Sequence, residues 1–364
     1  MGILSSIFKR EKEFIVDSKI DFVLPWVTGD NQEWNEIKKQ YLPKKSNDED
    51  ATSFARFRDM ETLKYVLRSI EQNCPWYHKI YLITKGYHPD WLNIKHPKIV
   101  LIREDELFID KSHLPVFSSV AIEMNLSNIP NLSEQFVYLN DDMLIMQKLS
   151  VKRFFIEGKP VDFLSHSFIP RNKIFGIFKK RDTWIHSLNN TLHLINTKFK
   201  PIQLDKKYLY HKSYPLSNKI NNFLLDTLFK KFIWIEHWHH PQPYLKKTLD
   251  DVYHEFKTEL MQCSKNRFRD NSDLNQYIYR YWQLAQGFFH PNKYSDAIVS
   301  NIDSIDVLNT LLKKIQENQN INFVCFNDST ELSNDEYNKV KTKLTAYLEN
   351  SFPKLASFEI EVKR

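Results

Sequence analysis

Apolar residues along the first 150 positions follow two rhythms. Short runs at 20–24, 79–84 (KIYLIT), 99–102 and 135–139 (QFVYL) are bounded by Pro25, by Gly86 and Pro89, and by Asn140-Asp141-Asp142. Runs of that length between breakers predict strands. Between them, Leu63, Val66, Leu67 and Ile70 in segment 61–71 fall on one helical face, and 116–126 repeats the pattern before a turn at Pro130. Strands separated by helices of this length predict βαβ units and a mostly parallel sheet flanked by helices, an α/β, Rossmann-like fold. Polar residues just after such strands lie at the carboxyl edge of the sheet, where open α/β folds place ligands.

Downstream the order changes. Residues 151–235 lose the alternation and read as an insertion or helical subdomain. A helical pattern returns over 243–281, with one polar break at 264–272. Segment 322–326 (NFVCF) predicts a late strand, available to the sheet of the first half and ending at Asn327-Asp328. A last helix is expected over 335–350, before Ser351-Phe352-Pro353. The chain therefore divides into an N-terminal extension (1–19), an α/β half (20–150), the insertion (151–235) and a second half completing the core (236–364).

Charge sharpens that division. The 364 residues carry a net charge of +6, yet 151–235 hold 16 Lys and Arg against 5 Asp and Glu, a net of +11, leaving −5 for the rest. A block of that kind points to an anionic partner, whether phosphate, nucleic acid or lipid headgroups, and the alternative is a solvated basic face. Three dispersed cysteines, Cys74, Cys263 and Cys325, make neither a disulfide framework nor a zinc motif, which fits a reducing, cytoplasmic setting. Ile3, Leu4, Ile7 and Phe8 precede Lys9 and Arg10, the reverse of a signal peptide, and offer at most a peripheral foot at the inner face of a membrane. Only six glycines occur, and no GxGxxG or GxxxxGK[ST] can be written from them. Phosphate, if bound, must be held by side chains and a metal ion.

Four constellations carry candidate chemistry. Asn140-Asp141-Asp142 leaves an apolar strand with paired carboxylates suited to Mg²⁺ or Mn²⁺ on a diphosphate, a surface turn being the competing reading. Arg56-Phe57-Arg58-Asp59 sets two guanidinium forks just before a predicted helix, where anions are favoured. Within Glu236-His237-Trp238-His239-His240-Pro241, His239 or His240 is a candidate general base, and a zinc site of Glu236, His237 and His239 is the rival. Arg267-Phe268-Arg269-Asp270 repeats the RFRD tetrapeptide and offers charge to neutralise a transferring phosphoryl group.

In this order the blocks resemble the Stealth family, which includes bacterial capsule polymerases and the animal N-acetylglucosamine-1-phosphotransferase. The resemblance runs through Asp21 and Trp26; from Arg58 and Asp59 through Lys85-Gly86, Phe117, Ser119 and Ala121-Ile122-Glu123 to Asp142; through His239-His240-Pro241 with Arg267-Phe268-Arg269; and through Cys325-Phe326-Asn327-Asp328. Departures are Thr28 where the family has Asp or Asn, Asn31 where it has a carboxylate, and Thr62 where it has an acid. The resemblance implies a GT-A-like nucleotide-sugar fold and transfer of a whole hexose 1-phosphate from a UDP-hexose or UDP-hexosamine to a glycan or phosphoglycan hydroxyl, releasing UMP. It implies catalytic roles for Asp141, Asp142, His239 and Arg269, with the two aspartates on the metal. It implies donor contacts for Asp21, Trp26, Arg56, Arg58, Asp59, Ser119, Asn140, Asn327 and Asp328. The competing readings are a metal-dependent glycosyltransferase releasing UDP and a basic polysaccharide-binding module; nucleic acid is not expected as a partner. For the basic block, the expectation is a docking surface for a phosphodiester-bearing acceptor or an anionic membrane, through residues such as Lys179, Lys180 and Arg181.

Overall fold

A computed structural model describes residues 19–27, 32–42, 58–166, 183–329 and 332–361. Arg56, the 1–18 segment, Thr28, Asn31 and Lys179 to Arg181 lie outside the described residues. The chain opens with strand β1 (Ile20–Pro25), then helices α1 (Gln32–Tyr41) and α2 (Leu63–Asn73). The expected face of α2, Leu63, Val66, Leu67 and Ile70, is buried. Strands β2 (Ile80–Thr84) and β3 (Ile99–Arg103) follow. Segment 116–126 forms only one short helix, α3 (Ser119–Glu123), because Ser118 is extended and the Asn125 amide turns back to the Ala121 carbonyl at 2.9 Å. Strands β4 (Gln135–Tyr138) and β5 (Met143–Ile145) close the first half.

The described part of the basic block holds β6 (Phe155–Ile156), β7 (Lys159–Asp162), α4 (Thr183–Lys198) and α5 (Leu216–Phe229). Beyond it come β8 (Gln242–Leu245), α6 (Lys246–Glu255), α7 (Lys257–Ser264) and α8 (Tyr277–Ala285). The chain ends with β9 (His290–Pro291), β10 (Ala297–Ile302), α9 (Ile305–Glu317), β11 (Phe323–Asp328) and α10 (Asn334–Ser351).

The main sheet has the order β3-β2-β1-β4-β8, parallel except for β8, which runs antiparallel to β4. Side chains of β1 alternate between two cores: Ile20, Phe22 and Leu24 join one with α2, α9 and α10, while Val23 joins the other with α6 and α8. Two expectations are corrected. Residues 243–245, read as the start of a helix, form with Gln242 the edge strand β8, a position that tolerates Pro243 because no ladder donor is needed there. The late strand β11 does not enter the main sheet. It pairs parallel with β10 and antiparallel with β5, setting Phe323, Val324 and Cys325 opposite Ile145, Leu144 and Met143.

Candidate active site

Between β4 and β5 the chain crosses from one sheet to the other, so Asn140, Asp141 and Asp142 sit at the junction. The Phe326 amide donates to the Asp142 carbonyl at 3.2 Å, which brings the carboxyl end of β11, with Asn327 and Asp328, alongside. Trp26 leaves β1 at the same edge, its amide donating to the Ile83 carbonyl at 2.9 Å. Because β8 opposes β4 with Gln242 across from Tyr138, the preceding residues return to that edge, and His239 Nε2 lies 3.5 Å from Asn140 Nδ2. Arg269 comes from the loop between α7 and α8, which is pinned where the Phe117 amide donates to the Arg267 carbonyl at 2.7 Å.

Two cavities meet here. One, of about 300 Å³, is walled by Trp26, Trp34 and Phe117, with Asp59, Asp141 and Asp142 on its polar side. The other, of about 760 Å³, is lined by His237, Trp238, His239, Tyr277 and Asn301. Asn140, Arg269, Asn327 and Asp328 line both. A small third space, of about 70 Å³, is bounded by Ser119, Glu123, Asn140, His239, Arg269 and Asp273.

The electrostatics of this junction are those of crowded, desolvated acid. Burial, then the charges of Asp142 and Asp59, hold the Asp141 carboxyl well above its ordinary range, and burial raises Asp59 as well. Asp142 Oδ1 is buried with no hydrogen-bond partner among the described residues. An orphaned carboxylate oxygen in a cavity that it shares with the carboxyls of Asp59 and Asp141 is a group that a divalent cation such as Mg²⁺ or Mn²⁺ would satisfy. Burial lowers His239, with Arg269 acting in the same direction and Asp142 against it, so its imidazole is neutral near pH 7 and able to accept a proton. The ligand atoms of Asp142, His239 and Cys325 lie within 4.8 Å of one another. Burial also pushes Glu123 up to about 7 and Asp273 up to about 6.

Of the residues expected from the sequence, Trp26, Asp59, Ser119, Asn140, Asp141, Asp142, Arg269, Asn327 and Asp328 gather around the first cavity, and His239 joins them from the second. Arg58 lines the first cavity too, but its fork is already engaged. Nε and Nη2 each donate to Asp328 at 2.8 Å, the carbonyls of Ser329 and Leu332 take two more donors, and the guanidinium lies 4.4 Å from the Tyr337 ring centre. Arg58 therefore anchors Asp328 at the edge of the cavity. Asp21 lies near the opposite, amino end of β1, where its carboxylate accepts from the amides of Lys79 and Ser133 and sits 2.8 Å from His78 Nδ1; it is not among the residues lining the site cavities.

The zinc alternative does not assemble. Both Glu236 oxygens accept from Lys293 at 2.8 Å, and His237 is packed among Trp184, Trp234 and Tyr277. His240 stacks on Phe323 with Nδ1 2.8 Å from the Pro241 carbonyl, so of the two candidate bases it is His239 that lines the cavities. The second RFRD splits in the same way. Arg267 donates to the carbonyls of Ser112 and Leu114, while Arg269 lines every cavity of the site. Sequence reasoning assigned no role to Trp34, to the Lys85–Glu104 pair (2.8 Å), or to Glu123. The signals for Lys85 and Glu123 were their places within the long second block; nothing in the spacing marks Trp34.

Comparison with known proteins follows the same lines. The model described as Stealth protein CR2, conserved region 2, matches residues 56–162. The chain is 30% identical over 353 residues to a capsular polysaccharide phosphotransferase, WcwK, of Streptococcus pneumoniae, spanning 94% of this chain and 98% of that one. It is 32% identical over 349 residues to a receptor polysaccharide phosphotransferase, WefC, of Streptococcus gordonii, spanning 94% and 99%. Among solved structures, a galactosyltransferase, LgtC, aligns with a TM-score of 0.36 at 10% identity, covering 89% of this chain and 95% of that one. Full-length relatives at this identity, together with the matched second region, show that the chain belongs to the Stealth family.

Proposed function

We propose that the protein transfers a hexose 1-phosphate from a UDP-hexose or UDP-hexosamine to a glycan hydroxyl, forming a phosphodiester of a capsular or extracellular polysaccharide and releasing UMP. The observation that carries this reading is the shared rim. Asp141 and Asp142 face one cavity, His239 faces the other, and Asn140, Arg269, Asn327 and Asp328 belong to both. A donor in the first cavity and an acceptor in the second meet at that rim from opposite sides, as an in-line displacement at phosphorus requires.

The acceptor oxygen attacks the phosphorus next to the sugar. A new O–P bond forms, the P–O bond to the nucleoside monophosphate breaks, and the sugar's anomeric bond is untouched. His239, neutral before the reaction, takes the hydroxyl proton. Arg269 opposes the negative charge that spreads over the phosphoryl oxygens, and Arg58 keeps Asp328 in place at the rim. Trp34 and Phe117, with ring centres 5.6 Å apart, give the donor cavity an aromatic wall for a nucleobase. Asp141 and Asp142, with Asp59 beside them, would hold Mg²⁺ or Mn²⁺, which when bound neutralises the diphosphate and stabilises the leaving phosphate.

The deciding experiment incubates the purified chain with UDP-sugars, Mg²⁺ and an oligosaccharide acceptor, and identifies the nucleotide released. UMP with a phosphodiester product supports the reading. UDP would assign glycosyl transfer instead, and absence of turnover with retained glycan binding would leave a binding module.

A further inference from the structure

Helix α5 is inside out. An amphipathic helix on a folded protein normally turns its apolar stripe inward. Here Leu216, Ile220 and Phe223, spaced i, i+4 and i+7 on one face, are 73%, 49% and 56% exposed, and Leu228 and Phe229, away from that face, are also exposed at the carboxyl end. The helix is attached to the protein through its polar side. Asn222 is fully buried, accepting from the His166 amide at 2.8 Å and donating to the carbonyls of Leu164 and Leu209 at 3.0 and 2.7 Å. Asn218 donates to Glu236 at 3.0 Å and accepts from Lys293 at 3.0 Å. Buried amides satisfied on several sides fix which face looks in, so the outward stripe is built and is not a slip of register.

The surroundings say what covers it. Between Lys198 and Lys231 there are eight lysines against two aspartates, Asp205 and Asp226, and Lys212, Lys230 and Lys231 are exposed. Near the start of this stretch, Ile202 adds an isolated apolar side chain that is 70% exposed. A second copy of the chain on this face would bring the two lysine sets together, and a water-soluble polyanion would leave the leucine, isoleucine and phenylalanine uncovered. An apolar stripe within a lysine field matches the boundary between acyl chains and anionic headgroups.

We propose that α5 docks the protein on an anionic lipid bilayer, lying in the interface with Leu216, Ile220 and Phe223 in the acyl region and the flanking lysines on headgroup phosphates. It does not span the bilayer: among the described residues no helix is long and apolar enough to cross a membrane. Nine residues lie between the end of α5 and His239, and Asn218 grips Glu236 within that stretch, so docking sets the acceptor-side cavity at a defined height above the lipid surface. This inference stands apart from the reaction assigned above, because its test reads lipid binding and not turnover.

Flotation of the full chain with phosphatidylglycerol–phosphatidylcholine vesicles tests it. Each of the three side chains moving from partial exposure into lipid is worth about fivefold in partitioning, so Leu216→Ser, Ile220→Ser, Phe223→Ser lowers binding about a hundredfold. Circular dichroism of that variant should match the parent, since these positions face away from the protein. Insertion is read separately by Phe223→Cys carrying an NBD fluorophore; the native Cys74, Cys263 and Cys325 are all buried, so the label is selective. Quenching by brominated lipid is expected. Failure of the parent chain to float, flotation of the triple variant at the parent's level, absence of quenching, or self-association through this face without lipid binding would each overturn the proposal.

Discussion

Replacing Glu123 with glutamine should change how stability depends on pH, in a direction the structure dictates. Glu123 is fully buried at the edge of the small third cavity, accepting from the Tyr138 hydroxyl at 3.1 Å, and its charged form is partly supported by Arg269. Burial outweighs both and lifts its pKa from 4.5 to about 7. The folded state therefore keeps a proton that the unfolded chain has already released, and stability falls as pH rises across that window. At about 1.4 kcal/mol per pH unit, the gap between 4.5 and about 7 is worth about 3 kcal/mol, absent below pH 4.5 and fully expressed above 7. Glu123→Gln keeps the shape and an acceptor for Tyr138 but cannot ionise. Urea unfolding of both proteins at pH 4 and pH 8 should show the variant gaining about 3 kcal/mol on the parent between the two. Asp273, raised by burial to about 6, titrates in both proteins, so its own contribution largely cancels and only its charge coupling to Glu123 remains in the difference. Parallel stability curves would show that Glu123 is ionised at little cost, and the picture of a desolvated acid behind Arg269 would be wrong.

Three further outcomes follow from the same geometry. Asp142→Ala and His239→Ala should each lower nucleotide release by about a hundredfold while thermal unfolding stays within a few degrees of the parent, and near-normal kcat in either folded variant would remove it from the mechanism. Asp21→Ala should cost about 2 kcal/mol or more in stability, since two backbone amides lose a charged acceptor, with KM for the donor unchanged; a raised KM without lost stability would return Asp21 to the site. Arg58→Met should destabilise by about 3–5 kcal/mol, because the Asp328 carboxylate, whose side chain is only 13% exposed, is left unpaired, and adding Asp328→Asn should recover part of that loss in denaturant unfolding.

Much of this protein was readable from local pattern. The strands at 20–25, 80–84, 99–103 and 135–138 are short apolar runs between breakers, and α2 buries the face its spacing predicts, because burial of one strand or one helix face is written into neighbouring residues. The place of the candidate site's cavity was readable for the same reason: Asn140-Asp141-Asp142 follows a strand, and a parallel sheet gathers such residues at one edge. Other features had no local signature. Residues 242–245 run straight into α6, so only β4 lying alongside makes them a strand, and β11 pairs with β5 and β10 and not with the main sheet, a pairing between segments far apart in the chain. The two RFRD tetrapeptides show the limit most clearly. Identical in sequence, the first spends Arg58 on Asp328, 270 residues away, while the second spends Arg267 on backbone carbonyls and brings Arg269 to the rim. Asp21 and Asp141 likewise both border strands of one sheet, yet they sit at opposite ends of it. Sequence set which side chains have the chemistry; which of them reach the same few ångströms was decided by pairings between distant segments, whose free energy depends on the whole fold and not on any window of the chain.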